Sequence, residues 1–287
     1  MCQLKSAIIL KDRVFVPEYD SHTDMLEELG IKDTEENAGR LFVRAELTPP
    51  DGDAFRPLNE WKFKVDQDIL PDWFVEEVDK QRMAEAVRIW AKDHIHIGVN
   101  GLEINSGRGH YIKDCTNVEI CGTAEVENIY GASKIRAVYD SAKIKNVHDL
   151  TEIGHVYGSA EIREVYGSAE IRDVYGSAEI KNVYGSAEIG HVYGSAKIRN
   201  VYDSAVIRNV YGSAEIRNVY GSAVIREVCG SAEIRNLKDD AVLISSPYGW
   251  KNKTQMSVSG NATFKDYETK TIFQAGDWTF KQVKASL

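Results

Sequence analysis

The residues that could do chemistry are few. His94 and His96 alternate in a His-Ile-His run. On a strand that spacing sets two imidazoles on one face, within reach of one metal ion. Two ligands do not make a zinc site, which takes three or four, and outward-facing strand histidines are ordinary. Asp66, Asp68 and Asp72 form an acidic cluster that could gather round a cation, although carboxylates at this spacing more often flank turns. The four cysteines, Cys2, Cys115, Cys121 and Cys229, lack the paired spacing of a disulfide framework or a zinc ribbon. No glycine-rich phosphate loop, Gly-x-Ser-x-Gly elbow or Cys/His pair is present. The expectation is a protein with no catalytic residue, no cofactor and no metal, in a reducing, cytoplasmic setting.

A different chemistry repeats along the middle of the chain. From Ile120 the sequence runs in near-identical nine-residue units, such as Val156-Tyr-Gly-Ser-Ala-Glu-Ile-Arg-Glu and Val165-Tyr-Gly-Ser-Ala-Glu-Ile-Arg-Asp. Thirteen units cover 117 residues, with a decaying copy at Leu237 and a stray one at Val258 after an insertion holding Pro247 and Trp250. If two units make one coil, the second position forms two stacked columns. One reads Cys121, Tyr139, Tyr157, Tyr175, Tyr193, Tyr211, Cys229; the other reads Tyr130, His148, Tyr166, Tyr184, Tyr202, Tyr220. Tyrosines stacked one strand spacing apart can simply stabilise a corner. They can also contact a partner, because tyrosine is enriched at binding hot spots. Tyr139, Tyr157, Tyr175, Tyr193 and Tyr211 are the candidate partner-binding stripe.

The elements that must position this stripe follow from the unit. Positions one (Val or Ile), five (Ala) and seven (Ile or Val) are apolar almost throughout. Five and seven are two apart and share a strand face, so six and eight, often Glu and Arg, face water. The step of three from position seven to the next position one requires a bend. Position three is Gly in most units and Asp at Asp140, Asp149 and Asp203. Both types tolerate left-handed backbone, which predicts a turn with positive φ. Glycine every nine residues excludes a helix, at about 1 kcal/mol each. Nine residues cannot enclose a core alone, so each coil takes eighteen. The prediction is a mainly β protein: a β-solenoid over 99–244 of about 6.5 coils from the thirteen units, with a β cap over 245–287 that includes Trp278 and Phe280. The alternating Glu and Arg ranks read as a solvated face. Ranks of small hydroxyl residues, which an ice-binding face needs, are missing.

Residues 1–98 read as a separate α/β head. Ser6–Leu10 and Arg13–Pro17 suggest a hairpin, and Ser21–Gly30 a capped short helix. Leu41–Leu47 and Trp61–Val65 suggest two more strands, and Val78–Asp93 the longest helix. The head would cover the open end of the first coil, since a bare coil is an exposed strand edge. It holds 21 acidic against 13 basic residues, within a net charge of -9 for the chain. An acidic head on a nearly neutral body argues against nucleic-acid binding. No apolar run is long enough to span a membrane, and the N-terminus has no signal-peptide core.

The runs Lys5-Ser-Ala-Ile-Ile-Leu-Lys-Asp-Arg-Val-Phe-Val-Pro17, Asp20 to Gly30, Val65 to Trp73 and Trp90 to Ile95, followed by the Tyr-Gly-Ser-Ala repeats, resemble a family of uncharacterised bacteriophage and bacterial proteins. The resemblance implies a phage or prophage setting and brings no catalytic residue with it. The function expected is a non-enzymatic binding protein that presents a regular solenoid surface to a macromolecular partner, most simply a protein, as a phage accessory or anti-defence factor. Two alternatives stand beside it: a ligand-binding or enzymatic head on a solenoid scaffold, and a structural protein that self-associates through its solenoid ends.

Overall fold

A computed structural model describes residues 5–252, 256–275 and 281–284. Cys2, Trp278 and Phe280 lie outside the described residues. The chain is mainly β, 45% strand against 13% helix, with a β-solenoid of about nine coils at roughly 18 residues per turn. It divides into two compact units, residues 1–97 with 108–111, and residues 98–107 with 112–287.

In the first unit, β1 (Lys5–Leu10), β2 (Val14–Phe15), β3 (Phe42–Thr48) and β4 (Lys62–Val65) form an antiparallel sheet in the order β2-β1-β3-β4. Both faces are covered, and the period-two alternation divides the side chains between them. Ala7, Ile9, Val43, Ala45 and Leu47 pack with Met83, Val87 and Trp90 of α3 (Glu76–His94). Ile8 and Phe42 pack on the other face with Met25 and Leu26 of α1 (His22–Glu28) and Ala38 of α2 (Glu35–Ala38). Ser21 caps α1 by accepting a hydrogen bond from the Asp24 amide. Gly30, at φ 68°, turns the chain away after it.

The second unit is two stacked parallel sheets. Strands in what we term the front sheet recur at Lys134–Val138, Glu152–Val156, Glu170–Val174 and onward; those of the back sheet recur at Lys143–Val147, Glu161–Val165, Glu179–Val183 and onward. Strands one full coil apart pair in register, so Ile171 lies beside Ile153 below and Ile189 above. Ala, Ile and Val columns from both sheets form one continuous core, nearly all of it within 2% of complete burial. Burying one such isoleucine contributes about 1.5–3 kcal/mol.

The bend demanded by the three-residue step does not end the strand. The strand runs from position six to the next position one, and its pairing skips position eight: Ile153 pairs with Ile171, then His155 with Asp173. Two consecutive residues, eight and nine, therefore face outward, and Val at position one returns to the core.

The corners are bonded as well as the strands. Tyr175 N donates to Val156 O at 2.9 Å, Ser177 N to Gly158 O at 2.9 Å, and Glu179 N to Ala160 O at 3.0 Å. Each coil thus satisfies its backbone on the coil below almost all the way round. This leaves little space at position three: a Cβ on Gly185 would lie 2.9 Å from Gly167 O, and the residue sits at φ +70°. Asp140, Asp149 and Asp203 adopt φ 57–60°, as the sequence predicted. They also contribute a bond that glycine cannot: Asp203 Oδ2 accepts from Gly185 N at 2.9 Å, and Asp149 Oδ2 from Gly131 N at 2.9 Å.

The winding extends beyond the clear repeats at both ends. Glu103–Ile104 pairs in parallel with Val118–Ile120, and Thr263–Asp266 with Val242–Trp250. Those coils depart from the regular register: Glu103 reaches Glu119 by a shorter step, and Val242 reaches Thr263 by a longer one. This is why about nine coils exist where thirteen units account for only 6.5. The parallel order stops at Thr271–Gln274, which runs antiparallel to Thr263–Asp266.

The aspartate bond at position three has a measurable consequence. Gly176→Ala places a Cβ at φ +70°, 3.2 Å from Gly158 N, and should cost about 1–2 kcal/mol. Gly176→Asp should lose less than half of that, because its carboxylate can accept from Gly158 N. Denaturant unfolding of both variants checks the order; equal losses would remove the role given to these aspartates.

Candidate partner-binding surface

The corner columns are built as the spacing predicts. Tyr139, Tyr157, Tyr175, Tyr193 and Tyr211 stack with ring centroids 5.0–5.1 Å apart and planes within 7°. In the other column, His148 stacks between Tyr130 at 4.4 Å and Tyr166 at 5.1 Å, and the run continues to Tyr220. Lys238 Nζ closes that column 5.5 Å above the Tyr220 ring. Each inner ring is covered above and below, so the stripe shows solvent edges and hydroxyls rather than faces. Tyr211, at the end of its stack, is the most open at 36% exposure. Burial pushes the phenols of Tyr157, Tyr193 and Tyr211 up, and that of Tyr184 to about 12. They remain neutral hydrogen-bonding groups at neutral pH.

The back sheet is regular outside the core. Position nine carries a ladder of asparagine amides: Asn200 Nδ2 donates to Asn182 Oδ1 at 2.7 Å, Asn218 to Asn200 at 2.7 Å and Asn236 to Asn218 at 2.8 Å. Beside it, a base at position eight pairs with the acid at position six of the coil below, as in Lys181 with Glu161, Arg199 with Glu179 and Arg235 with Glu215. These exposed pairs contribute about 0.2–1 kcal/mol each.

The front sheet breaks this pattern. Gly154 and Gly190 take position eight where neighbouring coils have Arg136, Arg172 and Arg208. Their missing side chains open a shallow trench of about 400 Å³ lined by Arg136, His155, Glu170, Arg172, His191 and Arg208, among others. Position nine is no longer an amide ladder. His155 Nδ1 lies 3.0 Å from Asp173 Oδ2, and His191 Nδ1 lies 3.1 Å from Asn209 Nδ2. Arg208 is paired with Glu188, but Gly190 stands where the pairing pattern would place the base for Glu170. Arg172 also lacks an ion-pair partner among the described residues, since Lys134 holds Glu152 at 3.3 Å. The trench adjoins the tyrosine stripe: His155 packs edge-on against Tyr175 and His191 against Tyr211, both at 6.3 Å. The column pattern alone does not reveal this site. Its signal is the Ile-Gly-His triplet at Ile153 and again at Ile189, two coils apart on one sheet.

The head's sequence candidates fall differently. His94 is not on a strand with His96; it is the last residue of α3, its Nδ1 bonded to Trp90 O at 2.7 Å. The helix runs on because α3's buried stripe of Met83, Val87 and Trp90 continues through His94. His94, His96 and His110 do come together, with His94 also against Trp90, but as stacked rings 14–21° from parallel. Stacked imidazoles hold their lone pairs in separate planes and do not converge on one ion. Burial, foremost, and the neighbouring histidines lower His96 to about 4. Asp66 does not gather with Asp68 and Asp72; it meets His22 and Glu46. No helix among the described residues is long and apolar enough to cross a membrane.

His148 makes the tyrosine ladder sensitive to acid. Burial holds its pKa below the usual 6.5, against a smaller opposing pull from Asp149. The unfolded chain therefore takes up this proton first as pH falls. The stability concerned is complete above about pH 6.5 and is lost as pH drops below it. His148→Tyr, which restores the column, should show a smaller fall in Tm between pH 7.5 and 5.5 than the parent chain; equal falls would contradict this placement.

Neither a family model, a curated protein nor a solved structure matches the chain.

Proposed function

We propose that the chain is a non-enzymatic binding protein whose front face, the tyrosine stripe together with the Gly154–Gly190 trench, docks a protein partner. The observation that carries this reading is the trench itself. The position-six acids of the outer ranks meet a base, whereas Glu170 faces the trench without an ion-pair partner among the described residues, with the unpaired Arg172 and a row of neutral phenol hydroxyls beside it. Arginine and tyrosine are the side chains most enriched where binding energy concentrates. A rigid strand scaffold presents them with little backbone conformational entropy to lose on association.

The repeats around the trench supply length and rigidity. Each coil depends only on its neighbours, so coil number can vary without disturbing the site. With the setting that the head's resemblance implies, the protein is a phage accessory factor acting on a bacterial protein, an inhibitor of host defence being one such role. The mixed charge of the outer ranks speaks against a nucleic-acid mimic, which needs one sustained sign.

The test compares proteins captured from bacterial lysate by the immobilised full chain and by two variants. Arg172→Glu with Tyr211→Ser alters the front face; Arg217→Glu alters an arginine of the back face. A partner should be depleted about tenfold or more by the first and retained by the second. Equal capture by both would reject the front face as the docking surface.

A further inference from the structure

The head holds a convergence of side chains that the function proposed above does not use. His22 is the first residue of α1, fixed in place by the Ser21 cap. Glu46 projects from β3. Asp66 follows β4, its amide donating to Arg44 O at 2.9 Å. Three elements thus bring one imidazole nitrogen and two carboxylate oxygens within 4.8 Å of one another, and among the described residues no other group of three His, Cys, Asp or Glu donors meets so closely.

The histidine's orientation gives the cluster its meaning. His22 Nε2 lies 3.2 Å from the Ala45 carbonyl oxygen. A carbonyl only accepts, so Nε2 carries a hydrogen, and Nδ1 is the nitrogen turned toward the carboxylates, free to ligate through its lone pair. Nδ1 lies 3.7 Å from Asp66 Oδ2. With that lone pair and two carboxylates turned to one point, a cation placed among them gains three donors and relieves the repulsion between the carboxylates. The imidazole is only 11% exposed and Glu46 17%, so water screens their interaction with such an ion poorly. Backbone-fixed imidazole, ligating through the other nitrogen, is how metal-bound histidine is commonly held.

We propose that His22 Nδ1, Glu46 and Asp66 bind a divalent transition-metal ion of the Zn²⁺ class, with water completing the coordination. One nitrogen and two carboxylates favour such an ion over Mg²⁺ or Ca²⁺, which take oxygen ligands alone. Zinc bonds of about 2.0–2.2 Å in a tetrahedron set donors about 3.3–3.6 Å apart. Rotation of the Asp66 side chain, 44% exposed, closes the remaining gap. Lys64 Nζ lies 3.1 Å from Asp66 and 3.9 Å from Glu46, but its contact is to Oδ1, whereas His22 faces Oδ2. At 63% exposure the ammonium can swing into water when the ion enters.

Calorimetric titration of ZnCl₂ into the full chain at pH 7.5, with Mg²⁺ in parallel, tests this. One Zn²⁺ per chain is expected, and no heat from Mg²⁺. His22→Ala and Asp66→Asn should each weaken binding about tenfold or more, while Lys64→Met should leave it equal or tighter; circular dichroism verifies that each is folded. Co²⁺ substitution gives a second readout, a visible d–d spectrum that His22→Ala should abolish. The proposal is overturned if the parent chain takes up no Zn²⁺, which would make Lys64 the resident cation. It is equally overturned if both ligand variants keep the parent affinity, which would place the ion elsewhere. Neither result bears on capture by the front face, so the two readings fail separately.

Discussion

Registry between coils is the constraint on which the rest of this molecule depends. Each strand pairs with the one a full coil away, and the corners bond in the same step, so every position in the repeat meets its own kind above and below. A side chain is accepted only if it stacks on itself or on a complementary neighbour. Isoleucine, valine and alanine do so inside; tyrosine, asparagine and oppositely charged pairs do so outside. Glycine and aspartate share the third position because the coil below leaves room for little else, and because both adopt its left-handed backbone.

That constraint also explains how a surface of repeats can hold a singular site. Changing one residue in one unit alters a single rung. Changing two units that lie on the same sheet, two coils apart, alters a patch. Gly154 and Gly190 do this, and Glu170, left without an ion-pair partner among the described residues because Gly190 stands where its base would be, is the consequence. The core beneath is untouched: Ile153, Ile171 and Ile189 are all at or below 2% exposure. Such separation between a uniform interior and a varied exterior suits a binding scaffold, since outer residues can differ while the buried columns keep their stacking.

The head follows other rules. Its sheet is covered on both faces by helices, and its polar groups are resolved case by case. Lys5, 2% exposed, donates to Asp20 at 2.7 Å and to Tyr19 O at 3.2 Å, and lies over the Trp90 ring. Burial lowers its pKa and the Asp20 carboxylate opposes that. Arg82 ties α3 to β1 by donating to Leu10 O at 2.9 Å while pairing with Asp79. No periodic pattern generates such contacts, and the His22–Glu46–Asp66 convergence belongs with them.

The sequence by itself determined the solenoid. A period of nine with apolar first, fifth and seventh positions fixes which residues are inside, and the need for a core fixes two units per coil. From these the tyrosine columns, the positive φ at Asp140, Asp149 and Asp203, and the stacking of Ile171 with Ile189 all follow, because repetition turns local spacing into spatial proximity. Tertiary structure alone decided what lacks that periodicity. The coils flanking the repeats wind in altered register because cross-strand bonding continues after the sequence pattern fades. His94 joins a helix because a buried stripe carries the helix past the His-Ile-His spacing. His22, Glu46 and Asp66 meet because an antiparallel register and a helix cap bring distant positions together, and neither of those is written in the spacing of the three residues.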